Sequence, residues 1–248
     1  MKKFINKYLK KIGIEVHGVG YIKKLASSDP KKNEWISQKK ILCNNAKVIF
    51  DVGANRGRTS LKYSTLFPNA KIHAFEPFPE SYNTFINTHK NNTNIKLNKY
   101  ALSNKIGEAS LNINKSIDTN SLLKSKKINA SSDKSCISIS SMIVKTNTID
   151  NYCQQNNITE IDILKLDVQG FELNVLEGAL KLLRDKKIKL IYTEGYFKQQ
   201  YINQPLLHDI SKFLYNYSFY IQDLYDPYFS KNNLLWCDVI FVNSPTKQ

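Results

Sequence analysis

The segment Val48-Ile49-Phe50-Asp51-Val52-Gly53-Ala54-Asn55-Arg56-Gly57 constrains this chain more than any other. Its apolar residues, interrupted by one acid, read as a buried strand, and the glycines then break that strand into a turn. A helix is predicted from Thr59 to Phe67. An α/β protein builds a nucleoside-type ligand site in this way, at the carboxyl end of its first strand. Glycine lets the backbone take positive φ and come close to a ligand. The helix start that follows offers unpaired N–H groups to a carboxylate or phosphate.

The glycine spacing narrows the ligand. Pyrophosphate recognition wants G-x-G-x-x-G, and here Ala54-Asn55-Arg56 separate Gly53 from Gly57, so the second glycine is missing. No Gly-Lys-Ser/Thr follows, which excludes a P-loop. Asp51 would repel a pyrophosphate but can pair with a ligand ammonium, directly or through water. A ligand with an amino acid end and a ribose, and no phosphate, fits better, and S-adenosylmethionine is such a ligand. A second strand agrees: Ala70-Lys71-Ile72-His73-Ala74-Phe75-Glu76-Pro77 ends in an acid about 25 residues after Asp51. An acid at the second strand end accepts hydrogen bonds from ribose hydroxyls, worth about 1.5–3 kcal/mol for a charged acceptor.

At 248 residues and 42% hydrophobic content the chain suits one larger globular domain. The net charge of +15 invites a nucleic-acid reading. Yet Arg56, Arg58 and Arg184 are the only arginines, and nucleic-acid readers favour arginine for bidentate base contacts. Nucleic acid is therefore not the expected partner. Cys43, Cys136, Cys153 and Cys237 stand apart, and neither a disulfide framework nor a zinc site is indicated. Reduced thiols place the chain in the cytoplasm. No run is long enough to span a membrane. Phe4, Ile5, Tyr8, Leu9 and Ile12 make one face of a short amphipathic helix, expected to pack on the domain, with peripheral contact at the inner face of a membrane as the alternative.

Residues 1–45 read as a basic helical extension, with Glu34 to Leu42 as its last helix, and 46–248 as the main domain. Within it, helix Glu80 to Lys90 and a third strand over Asn94 to Leu102 continue the alternation, which predicts a mostly parallel sheet with helices on both faces. From 107 to 148 the pattern changes to exposed-face strands, Glu108 to Asn114 and Ser138 to Thr148, flanking a polar stretch over 115–134. That stretch is read either as a lid or as a plain long loop. Helix Asp150 to Asn156 leads to a second strong strand, Ile161-Asp-Ile-Leu-Lys-Leu-Asp167, followed by Gly170 and one helix over Glu172 to Leu183. Strand Ile188 to Glu194, a helix over Leu206 to Tyr217, and strands Phe219 to Leu224 and Trp236 to Val242 complete the chain, the last pair read as antiparallel. Four strands thus end in acids, Asp51, Glu76, Asp167 and Glu194, at the sheet edge where α/β proteins bind ligands. Such a gathering of carboxylates is costly unless it meets a cation or hydroxyl donors, and a sulfonium-and-ammonium cofactor supplies both.

Asp51-Val-Gly-Ala-Asn-Arg-Gly57, Phe75-Glu-Pro77, Ala101-Leu-Ser103, Thr148-Ile-Asp150 and Leu164-Lys-Leu-Asp-Val-Gln-Gly-Phe-Glu172 together resemble the FkbM-type methyltransferases. The resemblance implies a Rossmann-like class I methyltransferase fold, S-adenosyl-L-methionine as cofactor, and O-methyl transfer to a hydroxyl of a sugar, glycan or related natural product. A lipid-linked glycan precursor is among the acceptors it leaves open. By the resemblance, Asp51, Gly53, Asn55 and Gly57 surround the methionine end of the cofactor. Glu76 holds the ribose, the backbone near Ala101 lines the adenine, and Asp167 sits beside the transferred methyl group. Gln169 departs from the family pattern, which usually has Glu there. Asp167 is the expected base or hydroxyl orienter and Glu194 the second candidate, with a helix-capping role the alternative for Asp167. No ligand set demands a metal. Two rival functions remain at this stage, a nucleic-acid methyltransferase and a non-catalytic glycan- or partner-binding relative.

Overall fold

Strand Ile161–Leu166 is buried at every position, which a strand can be only in the middle of a sheet covered on both faces. The computed structural model, which describes residues 33–126, 134–230 and 232–243, shows this arrangement. Seven strands form one sheet in the order β3-β2-β1-β7-β8-β10-β9. They are β1 (Val48–Val52), β2 (Lys71–Phe75), β3 (Ile95–Asn98), β7 (Ile161–Leu166), β8 (Ile188–Tyr196), β9 (Tyr220–Ser230) and β10 (Asn233–Val242). β3, β2, β1, β7 and β8 run parallel. β10 is antiparallel to both β8 and β9. A three-stranded sheet, β4 (Ala101–Leu102), β6 (Ser138–Asn147) and β5 (Gly107–Asn114), sits apart.

Alternate residues of each central strand serve opposite cores. Phe50, Val52, Leu164, Leu166, Ile191 and Phe241 pack beneath α4 (Ile149–Gln155), α5 (Glu172–Glu177), α6 (Leu180–Arg184) and α7 (Leu207–Tyr215). Ile49, Ile72, Ile163, Leu190 and Ile240 face α1 (Glu34–Ile41) and α2 (Arg58–Leu66). Helix α3 (Pro79–His89) brings Phe85 onto Ala54 and Ala74. Trp35 of α1 meets Tyr63 and Tyr192 edge-on, so this part of the expected extension packs on the domain. The amphipathic face from Phe4 to Ile12 lies outside the described residues. No helix among those described is long and apolar enough to cross a membrane.

Three expectations are corrected. The strand read over Asn94 to Leu102 is two, β3 and β4, in different sheets, because β4 pairs with β6 rather than extending β3. The helix read over Glu172 to Leu183 breaks at Gly178, where a side chain would collide with the backbone carbonyl of Ser103, 2.1 Å from an ideal Cβ. The last two strands run on into the connection between them, with irregular register near Leu234, Trp236 and Ile240.

Because β2 and β3 lie on one side of β1 and β7 on the other, the chain reverses direction across the sheet between β1 and β7. Such a switch point opens a crevice at the carboxyl ends of the strands.

Candidate active site

A cleft opens at this switch point. Gly53, Asn55, Glu76, Ala101 and Asp167 line it, together with Phe75, Leu111, Val168 and Phe171. Ile117, Asp118, Asn120, Ser121 and Leu122 of the β5–β6 connection form its other wall.

Glu76, just past β2, is 7% exposed. Its Oε2 accepts from the Asn55 backbone N–H at 2.9 Å and its Oε1 from the Phe78 N–H at 2.8 Å. Each oxygen keeps a second lone pair. Burial pushes the Glu76 carboxyl up to about 7, against the pull of those N–H groups and of Lys165. Asn55 holds a left-handed φ of 47° and donates from Nδ2 to Asp118 Oδ1 at 2.7 Å.

Gly53 and Gly57 take the positive φ expected of them, and each also permits a close approach within the chain. Gly53 has φ +74°, and an ideal Cβ there would stand 1.9 Å from the Asp167 backbone carbonyl oxygen. The close approach it permits is between the ends of β1 and β7. Gly57, at φ +83°, would drive a Cβ into the His89 ring at 2.3 Å. Gly57 precedes α2, which starts without a side-chain cap, and it does not line the cleft.

Asp51 is fully buried and does not line the cleft either. Its Oδ2 accepts from Ser60 Oγ at 2.6 Å and its Oδ1 pairs with Lys165 Nζ at 2.9 Å. Lys165 also donates to the Gly53 carbonyl at 3.0 Å and lies 3.7 Å from Asp167 Oδ2. Burial favours its neutral form, but Asp51, Asp167 and Glu194 outweigh burial and hold the ammonium above the usual lysine range. The cation demanded by the gathered acids is thus supplied by the chain. Sequence reasoning passed over Lys165, although a lysine inside an otherwise buried strand is itself a signal, since such a charge must be paired.

At the ends of β7 and β8 a second cluster assembles. Gln169 Nε2 donates to Asp167 Oδ1 at 2.9 Å and to Glu194 Oε2 at 3.1 Å. Tyr196 OH also donates to Glu194 Oε2, at 2.8 Å. Burial, then the nearby Asp167 and Glu172, push the Glu194 carboxyl well above the carboxylate range. Asp167 keeps 42% of its side chain exposed and caps no helix. Glu172, the first residue of α5, ties down the loop before the helix through Oε1, which accepts from the N–H groups of Val168 and Gly170, and burial raises its carboxyl to about 7. The 115–126 part of the segment read as lid or loop is hydrogen-bonded to the body. Ser121 Oγ donates to the Gln169 carbonyl at 2.7 Å, and Lys126 N–H donates to the Gln200 carbonyl at 3.0 Å. The rest, 127–133, lies outside the described residues.

The structure therefore gathers Gly53, Asn55, Glu76, Ala101 and Asp167 around one cleft, links Glu194 to it through Gln169, and sets Asp51 and Gly57 behind it. Comparison with known sequences now becomes decisive: the profile of the Methyltransferase FkbM domain matches residues 51–221. The chain belongs to the FkbM methyltransferase family. It is 26% identical over 169 residues to the 2-O-methyltransferase NoeI of Sinorhizobium fredii, covering 66% of this chain and 69% of that protein. It is 26% identical over 145 residues to the hexuronic acid methyltransferase AglP of Haloferax volcanii, covering 58% and 54% respectively. Among solved structures, the methyltransferase FkbM of Methylobacillus flagellatus superposes with a TM-score of 0.51 at 13% identity, over 80% of this chain and 44% of that one. The superposition thus spans most of this chain but less than half of that one.

Proposed function

We propose that this FkbM domain transfers a methyl group from S-adenosyl-L-methionine to a hydroxyl of a sugar or glycan. The observation that carries the reading is the cleft at the switch point, where Glu76 and Asn55 border one side and Asp167 the other. The names of the two relatives, a 2-O-methyltransferase and a hexuronic acid methyltransferase, support the acceptor class.

The donor set fits such a cofactor. Glu76 retains one lone pair on each oxygen after its two backbone bonds, as an acceptor for a vicinal diol should. Ala101 and Leu102 offer apolar backbone and side chain beside it for a planar base. Asp167 lines the cleft with Gly53 and supplies a carboxylate suited to the ammonium or sulfonium of such a ligand. Asp51 acts at one remove: its bond to Lys165 fixes the Gly53 carbonyl and the gap between β1 and β7.

S-adenosylmethionine, when bound, supplies an already activated methyl carbon. What remains for the chain is alignment, worth about 7–11 kcal/mol in favourable cases, and removal of the hydroxyl proton, worth about 10²–10⁴-fold. Asp167, the exposed member of its cluster, is the group that accepts that proton. Glu194, whose carboxyl burial and the nearby Asp167 and Glu172 push well above the carboxylate range, stands second, bridged to Asp167 through Gln169.

Calorimetric titration with S-adenosylmethionine and S-adenosylhomocysteine tests the cofactor site, with Glu76→Ala weakening binding about 10-fold or more. Transfer of radiolabelled methyl to hexuronic acid and neutral sugar glycosides, with RNA as a control acceptor, tests the acceptor class. A folded protein that binds neither ligand, or labels RNA alone, overturns the reading.

A further inference from the structure

Gln169 is the residue through which the two candidate acids communicate, and its geometry is over-determined. It sits at φ +53°, a left-handed conformation uncommon for a side-chain-bearing residue. Its backbone carbonyl accepts from Ser121 Oγ. Its Oε1 lies 3.1 Å from Tyr201 OH, which also reaches the Thr119 carbonyl at 2.9 Å, and its NH₂ end faces the two acids. Both hydrogens of that NH₂ are then used, one on Asp167 Oδ1 and one on Glu194 Oε2. A carboxylate in this position could donate to neither.

The neighbourhood makes that difference consequential. From β7, Lys165 faces the other Asp167 oxygen at 3.7 Å, and behind it lies Asp51 of β1. Glu172 of α5 and Asp238 of β10 add negative charge to the field felt by Glu194. Tyr196 of β8 donates to Glu194, while Tyr201 OH reaches Gln169 Oε1 at 3.1 Å, the Thr119 carbonyl at 2.9 Å and Cys136 Sγ at 3.8 Å. Asp167 is therefore held between an ammonium on one oxygen and a neutral amide on the other, which fixes the plane of its carboxylate.

We propose that Gln169 is a positioning residue whose carboxamide locks Asp167 in the orientation that meets the reacting methyl and the acceptor hydroxyl, and ties that orientation to Glu194. This deepens the methyltransferase reading and rests on it. It also gives a physical sense to the departure from Glu at this position. A third carboxyl between Asp167 and Glu194 would have no hydrogen to donate when ionised and only one when protonated, whereas the glutamine amide offers one to each acid.

The test needs no knowledge of the acceptor. Sinefungin carries an amine where the methyl group of the cofactor lies, and S-adenosylhomocysteine carries nothing there. The ratio of their affinities reads the charge and aim of Asp167. In the wild type sinefungin binds about 10-fold tighter than S-adenosylhomocysteine, and Asp167→Asn abolishes the preference. Gln169→Leu loses most of it with S-adenosylhomocysteine affinity unchanged, because the pocket wall survives while Asp167 is released. Gln169→Glu, close in shape and able to fold if the leucine variant does not, keeps the preference at pH 5.5 and loses it at pH 8.5, while the wild type holds it at both. A preference that vanishes in Asp167→Asn but persists in both Gln169 variants at pH 8.5 overturns the positioning role. A preference unmoved by Asp167→Asn, or absent from the wild type, overturns it too, by removing Asp167 from the methyl position. Loss of binding to both ligands in the wild type is a different failure, that of the cofactor reading.

Discussion

The two sides of the cleft are built in contrasting ways. At the ends of β1 and β2 the functional atoms are held by backbone: Glu76 by the N–H groups of Asn55 and Phe78, and the turn by the close passage of Gly53 over Asp167. At the ends of β7 and β8 they are held by side chains, through Gln169, Tyr196 and Tyr201. A backbone-held group is fixed by the fold itself and tolerates sequence change around it. A side-chain network can be retuned one residue at a time. In the proposed function, the first serves the cofactor side and the second the acceptor side.

Lys165 joins the two sides, so its removal should have the largest effect. Lys165→Met leaves Asp51 buried without its cation, and breaking a buried pair in this way costs about 3–5 kcal/mol. For a chain of 248 residues, each kcal/mol lowers Tm by roughly 2–4 °C. Thermal unfolding should therefore show a fall of about 6–20 °C. Asp51→Leu combined with Lys165→Met should recover part of that loss, since an apolar pair removes the stranded charge. A single variant as stable as the wild type would mean that the two sides are not coupled through this lysine.

Glu76→Gln should act only on the cofactor side. In the proposed function ribose donors bind the ionised carboxylate, so cofactor binding should lower a carboxyl that burial holds at about 7 in the ligand-free protein. Affinity for S-adenosylhomocysteine should then rise as pH increases toward 7 and level off above it. The sign for stability is opposite. A carboxyl raised on folding makes the folded state bind the extra proton, so the Glu76 contribution weakens the ligand-free protein as pH rises from about 4.5 through 7. Glutamine should flatten both dependences and cost about 10-fold in affinity above pH 7. Calorimetry across pH 5.5–8.5 checks this, and an unchanged slope would assign the titration to another group.

How much of this was legible in the sequence follows the same division. Val48 to Gly57 and Phe75 to Pro77 could be read because strand, turn and acid are consecutive, and local chemistry fixes them. The network at β7 and β8 could not, since Gln169 meets Glu194 and Tyr201 only after distant segments pack. Lys165 was visible as a charge in an apolar run, but its partner Asp51 was assigned outward to the ligand rather than inward. Local pattern shows that an acid ends a strand and leaves open which way its side chain turns. The same limit explains why Asn94 to Leu102 read as one strand: its residues alternate well enough, and only the pairing of β4 with β6 divides them.

The smallest effect should come from the contact that closes one side over the other. Asn55 Nδ2 donates to Asp118 Oδ1 at 2.7 Å, where the turn after β1 meets the 115–126 segment. The pair is exposed, so its loss in Asp118→Ala should cost only about 0.5–1 kcal/mol, or roughly two- to fivefold in S-adenosylhomocysteine affinity. The rate constants matter more than the size. If this segment is a fixed wall, stopped-flow binding should show faster dissociation and an unchanged association rate. If it opens to admit ligand, loosening its tether should speed both, because the open form becomes more populated. The Ser121 bond to Gln169 holds the same segment to the other side of the cleft. A lid anchored there and released at Asn55 would open from the cofactor side, leaving the Asp167–Gln169–Glu194 bridge intact during each exchange.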